Sequence, residues 1–449
     1  MRNFFAFFFL LFFLTACDKE KEYDKSKAIS AFISIDPIKV DPALEKVAIT
    51  IPKQEKNNFW SGSASGQNQR VENFEKNFSE IERGFFWKTR EIYLKISSPA
   101  WLFYKGEIRD HFVFSPIIKD GKVFILDTSG ALLAKDLATE KKIWKSQVFK
   151  RKILKNYKTP RIGYGDGKII ATAGVNKIAA VSEVDGSIIW SKEISSIPIS
   201  NPVCDEKSVY ITTNDNKLYA FNLKSGELNW VQSGISRATT IFGAADPVIY
   251  KDLVIVSYSS GEIYALKKAT GEAIWADDLN FNKAVNSDFY LNDIDATPLV
   301  KDGVVYVIGN GGLMMAIDVK SGNYLWRKRI AGIFDFWGAG DFLFVINNDN
   351  KLLAIAKKTG GIKWISQLPD FKDPKKSNTK FIYSGVIMAG DKLVISRLDG
   401  ELMIASPLDG KIEKTISLNK KISHAPIVID GKIYLHAIGK WVIDLIEIE

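Results

Sequence analysis

The chain has 449 residues, of which 46% are hydrophobic and 12% aromatic, enough for one large repeat domain or two to three ordinary ones around a buried core. The net charge is +9, but Lys and Arg are scattered among Asp and Glu with no dense basic block, which argues against nucleic acid as a partner. The only cysteines are Cys17 and Cys204, so a disulfide framework and a Cys-based metal site are excluded once Cys17 is otherwise engaged.

Met1-Arg2-Asn3 is a short positive start, and Phe4 to Leu14 is an apolar run. Its length suits the core of a secretory signal and is too short to span a bilayer. It closes on Leu14-Thr15-Ala16-Cys17, which resembles the bacterial lipobox. The resemblance implies a signal peptide over 1–16, cleavage before Cys17, and acyl chains on that residue. Two or more chains anchor stably, so the mature chain would sit on a membrane outside the cytoplasm without a transmembrane helix. Asp18-Lys19-Glu20-Lys21-Glu22 opens a charged stretch, and 17–57 reads as a tether with a few apolar interruptions. In enteric bacteria Asp after the acylated Cys resembles an inner-membrane retention signal; the rule varies between bacteria, and outer-membrane placement is the expectation here.

Helical periodicity is confined to Glu72 to Arg83, which predicts one short turn or helix. From there one module recurs: an apolar run often opened by Pro, a turn with Asp or Gly, two further strands, then a polar turn and a Trp. The clearest copy runs from Thr297-Pro298-Leu299-Val300-Lys301-Asp302-Gly303 to Ser321-Gly322-Asn323-Tyr324-Leu325-Trp326. Closing tryptophans stand at Trp144, Trp190, Trp230, Trp275, Trp326 and Trp364, with spacings of 38 to 51 residues. Modules open at Pro116, Pro160, Pro202, Pro247, Pro298 and Pro426, and two more open near Gly338 and Gly385. Eight modules of this length predict an all-β fold, an eight-bladed β-propeller of four-stranded blades over 58–449. Each Trp is then structural, a large apolar surface between blades with its N–H near the rim. Cys204, in a strand-like run, reads as a buried inert thiol.

The eighth module ends at its third strand, which would leave an unpaired edge. An upstream segment closes the ring in this reading. Phe85-Phe86-Trp87-Lys88-Thr89-Arg90 is the best candidate, with Trp87 as the last blade's tryptophan.

The module's Ala/Ile-Asp, Ser/Thr-Gly and Trp endings resemble the pyrroloquinoline-quinone-type propeller repeat, shared by quinoprotein dehydrogenases and the BamB family of barrel-assembly lipoproteins. A lipobox, a tether and eight blades resemble the BamB layout across nearly the whole mature chain. Val47-Ala48-Ile49-Thr50-Ile51-Pro52, Asn57-Asn58-Phe59-Trp60 and the run Leu291 to Pro298 also resemble that family. The resemblance implies a non-catalytic scaffold that binds the periplasmic domains of BamA, within the complex that assembles outer-membrane β-barrels. The family's binding loops carry an Asp-x-Asp, matched by Asp293 and Asp295, and an Arg preceded by apolar residues. Arg237 with Ile235 matches the second, although the family pattern has more leucine there. Acidic and Arg side chains on neighbouring loops suit charge-assisted contacts; Asp293 and Asp295 also suit a simple turn cap.

Rival chemistries find little support. A quinone-dependent dehydrogenase usually sets a vicinal cysteine pair against its cofactor, beside Ca²⁺ ligands and a catalytic Asp. No adjacent cysteines occur, and no clustered ligand set is visible. The three histidines, His111, His424 and His436, fall in different settings and read as satisfied or surface residues rather than zinc ligands. Gly163-Tyr164-Gly165-Asp166-Gly167 is Gly-rich but lies in a blade turn with no helix after it. No catalytic residue, metal, cofactor, nucleic acid or small-molecule substrate is therefore expected. Another propeller lipoprotein, binding sugars or acting in adhesion, is the remaining alternative.

Overall fold

Two-residue polar turns set the strand pattern. In Asp120-Gly121, Asp302-Gly303 and Asp430-Gly431 both residues take positive φ, from 48° to 81°. Two successive left-handed residues make the turn whose twist matches paired antiparallel strands, and Gly tolerates the second position without a Cβ penalty. Each such turn joins a short first strand to a longer, almost wholly buried second one, as from Leu299–Lys301 to Val304–Ile308. The third strand ends in a carboxylate- or amide-capped turn; in the fifth blade Asp318 accepts from the Ser321 N–H at 2.8 Å. The fourth strand is exposed on either side of its buried Trp, as in Tyr324–Lys328.

The computed structural model describes residues 38–61, 72–76, 78, 89–94, 116–127, 129–150, 160–174, 176–235, 245–279, 294–372, 379–418, 420–422, 424–438 and 443–448. These form eight antiparallel sheets, the blades of a propeller. The first blade runs Ile117–Lys119, Lys122–Leu126, Ala131–Asp136 and Lys142–Gln147 from the inside outwards, with Phe59–Trp60 added inside it. The seventh runs Tyr383–Ala389, Lys392–Arg397, Glu401–Ala405 and Ile412–Ser417.

In the eighth blade Ile427–Ile429, Lys432–Ile438 and Ile443–Ile448 are completed by Thr89–Leu94. The pairing is antiparallel, from Thr89 opposite Ile448 to Leu94 opposite Ile443. The closing strand thus begins four residues later than the segment Phe85 to Arg90 read from the sequence, and only Thr89 and Arg90 are shared. The reason is register: the backbone ladder pairs Thr89 with Ile448 and Leu94 with Ile443, and it is these partners, not the position of the nearest Trp, that place the strand. Trp87 lies outside the described residues.

Because strands alternate in direction, the turns between first and second strands and between third and fourth strands share one face of the ring. The opposite face carries the second-to-third turns and the connections between blades. These are called the turn face and the loop face below.

Residues 38–57, within the stretch read as a tether, are packed on the turn face. The Asp41 N–H donates to Ile362 O at 2.8 Å in the sixth blade, and Leu44 is buried beside it. Asn57 donates to Val428 O at 2.8 Å, and Asn57 O accepts from the Asp430 N–H at 2.8 Å in the eighth blade. Residues 72–76, expected as a turn or helix, instead cross back as extended chain. Phe74 bridges in parallel both to Glu55 and to Ala389 of the seventh blade. Trp60, Phe74 and Trp337 are all buried, with ring centroids 5.8 and 5.4 Å apart along the series. Apolar burial of Leu44, Trp60 and Phe74 explains why this charged, polar stretch stays on the propeller.

The Glu72 side chain fastens the return. It pairs with Lys301 at 3.0 Å and Lys357 at 3.6 Å and accepts from the Gly340 N–H at 3.1 Å. Burial alone would push this carboxyl up; Lys357, Lys301 and the Gly340 N–H outweigh it and hold it below its ordinary pKa.

Candidate partner-binding face

The connections between blades arrive on the loop face just before each innermost strand, and their last polar side chains meet across blade boundaries. Asp246, two residues before Val248–Tyr250, accepts from the Asn201 N–H at 2.7 Å and from Asn201 Nδ2 at 2.9 Å. The Asp246 N–H donates to Thr297 Oγ1 at 3.3 Å, and the Thr297 N–H donates to Asp335 Oδ1 at 2.8 Å. The third, fourth, fifth and sixth blades are thereby linked in series. A buried carboxylate here is tolerated because N–H donors satisfy it. Three of these residues carry a signal the sequence reading did not use: Asn201-Pro202, Asp246-Pro247 and Thr297-Pro298 each place a polar side chain directly before the opening Pro.

Arg161, in the innermost strand Pro160–Gly165 of the second blade, belongs to the same zone. Burial works against its charge and Asp246 supports it. Its Nε has no hydrogen-bond partner among the described residues. His424 is pushed down to about 4, first by burial and then by the Arg161 charge. His436 is driven well below the ordinary histidine range by burial and by His424, whose ring centroid lies 5.5 Å away. Both imidazoles are neutral at physiological pH.

Two of the residues singled out in the sequence as partner contacts are described. Ile235, on the connection into the fourth blade, is 61% exposed. Asp295 is half-buried on the connection into the fifth blade, two residues before Thr297. Both stand on the loop face. Arg237, Asp293 and the acylation candidate Cys17 lie outside the described residues.

Ile235 is held from both sides. Its N–H donates to Glu262 Oε2 at 2.6 Å, and its carbonyl accepts from Asn216 Nδ2 at 2.7 Å. Neither Glu262 nor Asn216 was picked out by sequence reasoning. Each looks like an ordinary turn or strand-end residue until the third and fourth blades are placed side by side.

The six described blade tryptophans lie at blade boundaries and away from this face. Each donates its Nε1–H to a carbonyl in the third-to-fourth turn of the next blade, from Trp144 to Glu183 O at 3.0 Å through Trp190, Trp230, Trp275 and Trp326 to Trp364 and Pro407 O at 3.0 Å.

The chain has no adjacent cysteine pair, and Cys204 is buried, its thiol pushed up by burial. Among the described residues no group of three or more His, Cys, Asp or Glu has the geometry of a metal site. No helix among them is long and apolar enough to cross a membrane.

Comparison with known proteins bears on the fold and the family. The family model for the outer membrane protein assembly factor BamB matches residues 128–366. The chain is 25% identical over 328 residues to BamB of Yersinia pestis, covering 72% of this chain and 81% of that one. It is 26% identical over 314 residues to an uncharacterized protein of Rickettsia conorii, covering 67% of this chain and 75% of that one. Among solved structures, BamB from Moraxella catarrhalis superposes with a TM-score of 0.64 at 17% identity, covering 74% of this chain and 96% of that one. A europium-containing methanol dehydrogenase superposes with a TM-score of 0.62 at 12% identity, covering 85% and 90%, so the propeller architecture is shared with enzymes. Architecture alone does not assign activity. The match over more than half the chain does assign the family: the chain belongs to the BamB family of outer membrane protein assembly factors.

Proposed function

We propose that the chain is a non-catalytic scaffold of outer membrane protein assembly that docks through its loop face onto the periplasmic domains of BamA. Acyl chains on Cys17 hold it to the outer membrane, facing the periplasm. The observation that carries this reading is the position of Ile235. A large apolar side chain, 61% exposed, stands on the same face as Asp295 and beside a hydrogen-bonded rim of blade connections. An apolar anchor with charged neighbours on a rigid frame suits a protein partner. Arg237 and Asp293 complete the proposed contact, and the absence of a vicinal cysteine pair supports a role without quinone catalysis.

The test is a pull-down from membranes with the intact chain beside a variant carrying Arg237→Ala, Asp293→Ala and Asp295→Ala. Recovery of BamA with the wild type and its loss with a folded variant supports both the partner and the face. Equal recovery moves the contact elsewhere on the propeller. No recovery of BamA with the wild type refutes the partner. Mass spectrometry of the mature N-terminus checks Cys17, and separation of the two membranes decides between outer-membrane placement and retention through Asp18.

A further inference from the structure

Ile235 is exposed, yet its backbone is fixed by buried polar groups from two blades. Asn216 comes from the second-to-third turn of the third blade, is 1% exposed, and has a left-handed φ of 54°. Its Nδ2 donates to Ile235 O at 2.7 Å, its carbonyl accepts from the Gly234 N–H at 2.8 Å, and its Oδ1 accepts from Ser259 Oγ at 2.8 Å. Glu262 opens the third strand of the fourth blade and is 8% exposed. Its Oε2 accepts from the Ile235 N–H at 2.6 Å and from Ser260 Oγ at 2.8 Å, and its Oε1 accepts from the Tyr264 hydroxyl at 2.9 Å. Among the described residues no cation pairs with this carboxylate, and the Ile235 N–H and the Ser260 and Tyr264 hydroxyls are its hydrogen-bond donors. The clamp also dictates Gly234: a Cβ there would lie 2.5 Å from Tyr258 Cδ2 and 2.9 Å from Glu262 Oε2.

An exposed loop residue needs none of this for stability, because water satisfies its amide and carbonyl. Burying a carboxylate is a costly way to fix such a backbone. What the arrangement achieves is one preset direction for one apolar side chain, which lowers the ordering cost when a partner binds. We infer that Glu262 and Asn216 are positioning residues for partner binding, which present Ile235 as a preorganised apolar anchor to a nonpolar pocket on the periplasmic domains of BamA. The inference rests on the proposed function above.

The experiment is a double-mutant cycle on the full-length lipoprotein in detergent, titrated with the purified periplasmic domains of BamA. Ile235→Ala and Glu262→Gln are each expected to raise Kd about tenfold, the weakening typical of a lost anchor. The double variant is expected to be no weaker than Ile235→Ala alone, since Glu262 acts only through that side chain. Ile235→Leu should retain binding. If Glu262→Gln does not fold, Asn216→Gly replaces it, removing the Nδ2 donor while suiting the positive φ. Glu262→Gln binding as tightly as wild type, or weakening Ile235→Ala further by its full factor, overturns the inference. A wild-type chain that does not bind these domains at all defeats the underlying reading instead.

Discussion

Trp364 of the sixth blade lies directly against Gly410 of the seventh: a Cβ at Gly410 would sit 2.5 Å from Trp364 Cζ3, while Trp364 Nε1 donates to Pro407 O at 3.0 Å in the same turn. The pairing repeats at Gly186, Gly226, Gly271, Gly322 and Gly360, each on the Trp of the preceding blade. It stops at the closing blade. The third residue of the seventh blade's outermost strand is Lys414, opposite Ile404 where the earlier blades place Trp opposite Ala. The eighth blade has no third-to-fourth turn for a Trp to bind, because those two strands come from distant parts of the chain. In its outermost strand the Trp register is taken by Arg90, opposite Glu447, which itself faces Tyr434 as Ala134 faces Phe124 in the first blade. The first blade, next around the ring, correspondingly carries Glu140 rather than Gly at the left-handed turn position, with φ of 60°.

Gly360→Ala should therefore cost far more than a glycine change in an open turn. At Gly360 the new methyl would meet Trp326 Cδ2 at 2.7 Å, whereas at Gly121 nothing lies within 4 Å, and both residues have positive φ. Left-handed strain alone is about 1–2 kcal/mol, and overpacking adds about 1–3 kcal/mol. Urea unfolding of both variants measures the difference; equal losses would show that the ring contact is unimportant.

Stability should fall on acidification before most carboxylates titrate. His424 and His436 have depressed pKa values in the folded chain, so the unfolded chain takes up their protons first. The stability they permit is complete above the ordinary histidine range near pH 6.5 and is lost as pH falls from there towards His424's value of about 4. The slope is up to about 1.4 kcal/mol per pH unit for each proton bound only by the unfolded chain. Thermal midpoints from about pH 7.5 to about pH 4.5 test this. The variant His424→Asn should flatten the profile, and an unchanged slope would assign the acid sensitivity to other groups.

The register of the closing strand predicts a specific cross-link. Ile92 lies directly opposite Leu445. Directly opposed antiparallel residues have Cα atoms about 4.5 or 5.5 Å apart, within the span a disulfide accepts. Oxidised Ile92→Cys/Leu445→Cys should close the ring covalently and raise stability by about 2–4 kcal/mol. A change in gel mobility on reduction reports the bond. Failure to form it in the folded chain would contradict the register.

Glu72→Gln should loosen the turn-face strap. It removes the charge facing Lys301 and Lys357, and Lys357 is already pushed below the ordinary lysine range by burial, with Glu72 opposing that effect. The expected loss is about 1–3 kcal/mol, the range for leaving a buried polar group poorly partnered. Limited proteolysis between residues 38 and 78 should accelerate relative to the blades. Cleavage at the wild-type rate would show that the apolar contacts of Leu44, Trp60 and Phe74 hold the strap without it.

The architecture was legible in the chain because each blade repeats the same local chemistry. Alternating strands, Asp-Gly turns and a Trp that must meet a Gly in the next blade are neighbour relations, and a period near one blade length exposes them. Eight modules, an all-β propeller and closure by an upstream strand follow from counting such units and asking what covers the last edge. Ile235 and Asp295 were recognised through family resemblance, and their shared loop face follows from strand alternation. Three matters were left to the tertiary structure. The closing strand is Thr89–Leu94 because its backbone register against Ile443–Ile448 is fixed by long-range pairing. Residues 38–57 lie on the turn face because a few apolar side chains find pockets there that no local pattern reveals. The Asn216 and Glu262 clamp joins residues from two blades onto a third segment, and such a long-range meeting of buried donors and acceptors has no period along the chain.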